Sequence, residues 1–166
     1  MSAARPTGAL SRAAGSRAFR WTAVVVCAVL AVYGLVYVDL VLRARSAYLE
    51  GEKYMEWHRR PEAKKAFFEA RFLGEKEILD RRKAAGELVE TEYRQRLELE
   101  RFRRDEAVAE SSLKYAYHWH KTAVELFSPP ESRWVRASRE KMAEAKELWK
   151  RELDGKNIPY EDYMLE

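Results

Sequence analysis

Three histidines, a single cysteine and a dense set of carboxylates are the side chains of this sequence most suited to chemistry. His118 and His120 come closest to a metal pair, and a shared ion would need both imidazoles on one side. Residues two apart on a helix project about 200° apart, so one helix does not aim both at the same ion. Trp119 between them reads as a packing residue. His58, flanked by Trp57 and Arg59, fits a helix end, near the C-terminal carbonyls. Carboxylate pairs such as Glu98 with Glu100, or Glu161 with Asp162, are what solvated helix faces produce in a chain that is 35% charged. Acid–base work requires a cleft as well. Cys27 has no second cysteine with which to form a disulfide, a redox pair or a thiolate cluster. No HExxH, glycine-rich phosphate loop or Gly-x-Ser-x-Gly elbow is present. The sequence therefore predicts a non-enzyme, with no catalytic residue, cofactor, metal or small-molecule substrate.

Binding chemistry is better represented. Tyr115, Tyr117, Trp119, Trp134 and Trp149 fall in two adjacent helical stretches and exceed what one small hairpin must bury. Some are expected to close the core and some to face a partner, because Trp and Tyr dominate interface hot spots. Tyr115, Trp119, Trp134 and Trp149 are the expected partner-binding residues.

The elements that position these side chains are helical. Ala, Glu, Leu, Lys and Arg dominate beyond Leu42, and no run alternates with period two, which predicts an all-α domain of antiparallel helical hairpins over residues 43–155. Pro61 is placed to open a helix and Gly74 to close it, with Ala63, Ala66, Phe67, Ala70 and Phe72 leaning to one buried side. Residues 75–106 mix both charge signs, and Val89, Tyr93, Leu97, Leu99 and Phe102 leave a thin apolar seam on an exposed helix. Ser128-Pro129-Pro130 ends the aromatic helix, the last helix starts near Ser132, and Gly155 follows as its cap. The tail, residues 156–166, is expected to dock through its aromatics as an extended strap.

No charge occurs from Trp21 to Val38, and the apolar run resumes after Asp39 through Leu42. At ~1.5 Å per residue, that gives a helix of ~27 to 33 Å, enough to cross a bilayer. Trp21 and Tyr37 suit the two headgroup layers. The segment Trp21 to Leu42 is therefore expected to contact lipid as a single-pass transmembrane helix. It reads as an uncleaved anchor, because it is longer than a secretory core and Ala44-Arg45-Ser46 is the only small-x-small site after it.

The formal charge of +4 is unevenly placed: residues 1–45 hold six Arg and one Asp, while residues 46–166 hold 25 basic and 26 acidic side chains. A folded domain so evenly interspersed lacks the basic field that nucleic acid requires. The short, acid-free flank of residues 1–20 favours a cytoplasmic N-terminus with the domain beyond the membrane, in the periplasm of a bacterium. The same Arg-, Ser- and Ala-rich flank is similar to a mitochondrial presequence, and the alternative is an accessory structural subunit of a mitochondrial inner-membrane complex.

Gly51-x-x-Tyr54, followed by Ala63-x-x-x-Phe67 and then Ala70, has the intervals of a tetratricopeptide repeat, and residues from about Ala44 to Gly74 resemble one such unit. Gly51 and Ala63 would let two helices approach, with Tyr54 and Phe67 filling the space between them and a neighbouring repeat. Ala116 and Ala123, closed by Pro129, form a degenerate second unit in which His120 stands at the aromatic position. Ala47, Glu50 and Glu75 depart from the family pattern. The resemblance implies a surface for protein partners and no catalysis. It points to a membrane-anchored scaffold or adaptor, similar to assembly factors of envelope machines such as periplasmic parts around flagellar motors.

Overall fold

Helix-favouring residues run almost without interruption past residue 16, and the few glycines and prolines decide where each helix stops. The computed structural model describes residues 17–165. Helix α1 is Arg17–Arg59, α2 Pro61–Ala84, α3 Glu90–Ala109, α4 Ser112–Leu126 and α5 Arg133–Gly155, followed by a 3-10 turn at Asp162–Leu165. The chain is all-α, with no strand among the described residues. Arg5 and Arg12 of the basic flank lie outside the described residues.

The 43 residues of α1 form one unbroken helix, so the boundary expected after Leu42 falls inside it. No proline interrupts this stretch, and Arg43 pairs with Asp39 one turn earlier at 2.7 Å, supporting the helix where the apolar run ends. The N-terminal part of α1 is long and apolar enough to cross a membrane, and none of that stretch is buried within the protein. The C-terminal part, by contrast, is a core element. Ala44, Ala47, Gly51 and Met55 are buried along one seam at three- and four-residue spacing.

Two further helices cover that seam. Leu113, Ala116, His120 and Ala123 of α4 and Val135, Ser138, Ala145 and Trp149 of α5 are buried at the same kind of spacing. Helix α4 runs antiparallel to α1, with Tyr48 against His120 and Tyr54 against Tyr115. Helix α5 runs parallel to α1, with Tyr48 against Trp134 near its start. The result is a three-helix bundle whose small residues let the helices close on each other. Gly51 is the tightest point: a Cβ there would lie 2.6 Å from two atoms of the His120 ring.

Helices α2 and α3 form a separate arm, packed on each other and reaching the bundle mainly through α1. The ladder between them is largely polar. Tyr93 donates to Asp80 at 2.6 Å, Lys83 pairs with Glu90 at 2.6 Å, and Arg104 pairs with Glu69 at 3.0 Å. Phe72, Leu79 and Leu88 supply its buried apolar contacts. The arm is fastened at its base by Trp57, whose ring meets Phe67 and Phe68, and by buried Lys64, which donates to the Glu110 carbonyl at 2.6 Å.

Several expected boundaries move. Helix α2 passes through Gly74 and stops ten residues later, at Ala84. The left-handed residue is Gly86, at φ 75°, and the amide bonds Gly86 to Lys83 and Glu87 to Arg82 complete a Schellman-type stop there. At the end of α5 the left-handed position belongs to Asn157, at φ 52°, instead of Gly155. Helix starts follow the sequence more closely, since Ser132 caps α5 by accepting from the Val135 amide. The tail docks as expected, through Leu165 at 2% exposure and half-buried Tyr160, but it ends in a 3-10 turn instead of a plain strap.

Gly51→Ala is expected to destabilise the bundle by about 1–3 kcal/mol, because the fully buried His120 ring has no open side to move toward. Denaturant unfolding of the full chain in detergent measures this loss, and adding His120→Ala to Gly51→Ala should recover part of it.

Candidate functional site

The residues singled out from the sequence do not converge on one site. Trp149 is 7% exposed, packed against Tyr117 and His118, and belongs to the core instead of a partner surface. Tyr115 is half-buried, stacked on Tyr54 with ring centroids 5.1 Å apart. Its hydroxyl donates to the Glu110 carboxylate, and that bond, with burial, pushes its pKa up to about 12. Trp134 is partly covered by Tyr48, and Trp119 stays at the surface near the end of the apolar run of α1.

The packing partners of the repeat-like residues also differ from those the resemblance implies. Gly51 meets His120 of α4, and Ala63 is exposed. Tyr54 packs on Trp57 and Tyr115, while Phe67 contacts Trp57 at the base of the arm yet stays 48% exposed. The reason lies in the turn of α2. Its inner face carries Lys64, Phe68, Phe72 and Leu79 toward α1 and α3, whereas Ala63, Phe67, Ala70, Gly74 and Ile78 recur at three- and four-residue spacing on another side. Phe72 therefore parts company with the alanines beside which it was expected. A Cβ added at Gly74 would meet nothing within 4 Å, so this stripe is open. On α3, Leu99 and Phe102 are exposed as well, whereas Leu97 is half-buried and Tyr93 bonds Asp80 of α2.

An open groove of about 520 Å³ runs between the two arm helices, bordered by Ala66 and Glu69 on one side and Arg104, Val108 and Ala109 on the other. Arg104 is paired there with Glu69 at 3.0 Å and Asp105 at 2.8 Å, and Lys65 adds a second cation at the groove's edge.

Inside the bundle a polar layer interrupts the apolar seam. His120 and Ser138 are fully buried, and both His120 ring nitrogens, the Ser138 hydroxyl and Glu52 Oε1 lack a hydrogen-bond partner. His120 Nε2 lies 3.6 Å from Glu52 Oε1, beyond hydrogen-bond distance. Burial disfavours the imidazolium, Lys141 reinforces that, and the His120 pKa falls to about 4. His118 faces Trp149 instead, and burial with Lys114 and Lys121 nearby lowers its pKa too. Among the described residues no group of three or more His, Cys, Asp or Glu is placed to hold a metal ion.

No family model, curated protein or solved structure matches this chain. The functional reading consequently rests on geometry.

Sequence reasoning missed the polar layer and the exposed stripe of α2. The heptad spacing of residues 113, 116, 120 and 123 and of 135, 138, 142, 145 and 149 was the available signal for the layer.

Because His120 is neutral in the fold and titrates near 6.5 when unfolded, stability is complete above about pH 6.5 and falls as pH drops toward 4. The expected loss over that window is about 3 kcal/mol. Denaturant midpoints of the full chain at stepped pH, beside those of His120→Asn, check it: the substitution should flatten this slope.

Proposed function

We propose that the protein is a membrane-anchored, non-catalytic scaffold, in which α1 crosses the bilayer and the arm formed by α2 and α3 holds a protein partner. The orientation that fits the acid-free N-terminal flank has a cytoplasmic N-terminus and the 43–155 domain in the periplasm. The observation that carries the reading is the outer stripe of α2. Phe67 and Ile78 stand 48% and 44% exposed on a row completed by alanines and an open glycine. An amphipathic helix leaves such a row bare when another chain covers it, and small residues permit close helix approach. The tetratricopeptide resemblance implies a protein-partner role in general, although it assigned Ala63, Phe67 and Ala70 to packing between helices. The arm's inner contacts are mostly ion pairs, so partner binding would add the apolar burial that the arm lacks.

The test uses full-length protein in its native membrane, with a photo-crosslinking amino acid at Ala70 or Ile78. A discrete heterologous adduct is expected, and Gly74→Asp should reduce it by about tenfold while leaving helix content unchanged. Adducts formed only from the bundle surface, or none with the chain remaining monomeric, would sink the scaffold reading.

A further inference from the structure

The apolar run of α1 ends at Leu42, and the far end of the bundle comes down to the same level. Helix α4 descends antiparallel to α1 from Tyr115 beside Tyr54, through His120 beside Tyr48, to its end at Leu126. There Leu42 and Arg43 share one open groove, of about 260 Å³, with Trp119 and Phe127. Leu126, the last residue of α4 before the turn that leads to Pro129 and Pro130, is 67% exposed. The apolar surface of α1 is thereby continued sideways by Leu126, Phe127 and Trp119, at the depth where a spanning helix leaves the hydrocarbon.

Charge at this end is complementary to a bilayer surface. The nearby carboxylates are already partnered: Asp39 by Arg43 at 2.7 Å, Glu125 by Lys121 at 3.7 Å and Glu131 by Arg139 at 2.5 Å. Arg45 and Arg133 lie over the Trp134 ring, 5.9 Å and 4.4 Å from its centroid, and among the described residues neither forms an ion pair. Tryptophan beside unpaired arginine is the pairing that the headgroup layer favours, with the ring at the interface and the guanidinium on phosphate.

We propose that this end of the bundle is a lipid-contacting surface. Leu126 and Phe127 enter the interfacial layer beside Leu42, Trp119 lies at headgroup level, and Arg45 and Arg133 bind anionic headgroups. The proposal rests on α1 crossing the bilayer. It adds a second attachment that fixes the tilt of the bundle, and hence the direction in which the arm projects.

The experiment places the full chain, carrying Cys27→Ser, in vesicles of phosphatidylcholine alone or mixed with phosphatidylglycerol. An environment-sensitive fluorophore is attached in turn at Leu126→Cys, Leu35→Cys and Ile158→Cys. In the anionic vesicles the labels at 126 and 35 should be blue-shifted and shielded from an aqueous quencher, while the label at 158 stays accessible. Each arginine near an anionic surface favours the bound state by about fivefold, so Arg45→Gln with Arg133→Gln should lower the shielded-to-accessible ratio at 126 by roughly 25-fold. The label at 35 should not respond. A label at 126 as accessible as that at 158, with 35 shielded, overturns the lipid surface and leaves the anchor standing. An accessible label at 35 overturns the anchor and the lipid surface together. Shielding at 126 that ignores lipid charge and the double substitution assigns the site to protein contact and overturns the proposal.

Discussion

The absence of a side chain at Gly51 is the constraint on which the rest of the fold depends. It lets the His120 ring lie against the α1 backbone, in the middle of a seam whose other buried polar side chain is Ser138. Any larger residue would push α4 away from α1, and with it the Tyr54–Tyr115 stack and the contacts that α4 makes with α5. The histidine that fills this space is buried with both nitrogens unpaired, a cost that is far smaller for its neutral form than for the imidazolium. One close approach thus sets the spacing of three helices and makes the bundle sensitive to acid.

The same seam joins the bundle to the apolar helix. Because α1 is continuous, its N-terminal stretch and the 44–55 core strip share one rigid axis, and the bundle cannot turn freely relative to whatever holds the apolar end. The arm is built on the opposite principle. Its ladder of tyrosine, lysine, arginine and carboxylates gives direction at little apolar burial, and exposed ion pairs of this kind contribute modestly and weaken with salt. A stiff base and a polar arm with an uncovered outer stripe are the features behind the scaffold role proposed above.

Much of this was legible in residue order, for identifiable reasons. Helix content, the apolar run from Trp21 to Leu42, the Ser132 cap and the proline stop after Phe127 are local properties, and the structure agrees with each. Gly74 was misread as a stop because glycine ends a helix only where the chain adopts a left-handed turn, and that turn lies at Gly86. Trp149 was misread as a partner anchor because its heptad register with Met142 and Ala145 matters more than its residue type. The partners of Gly51, Ala63 and Phe67 were beyond reach for a different reason. The glycine is matched to a histidine 69 positions later in the chain, and a motif confined to neighbouring helices does not contain that pairing.

The measurement that tests this account most directly is peptide mapping of tyrosine–tyrosine links after brief photo-oxidation of the full chain in vesicles. The α1–α4 packing brings the Tyr54 and Tyr115 rings to a 5.1 Å centroid separation at an interplanar angle of 21°. A dominant intramolecular link between these two tyrosines is the predicted product. Tyr54 linked elsewhere, with no Tyr54–Tyr115 product, would contradict the bundle and its rigid connection to the apolar helix.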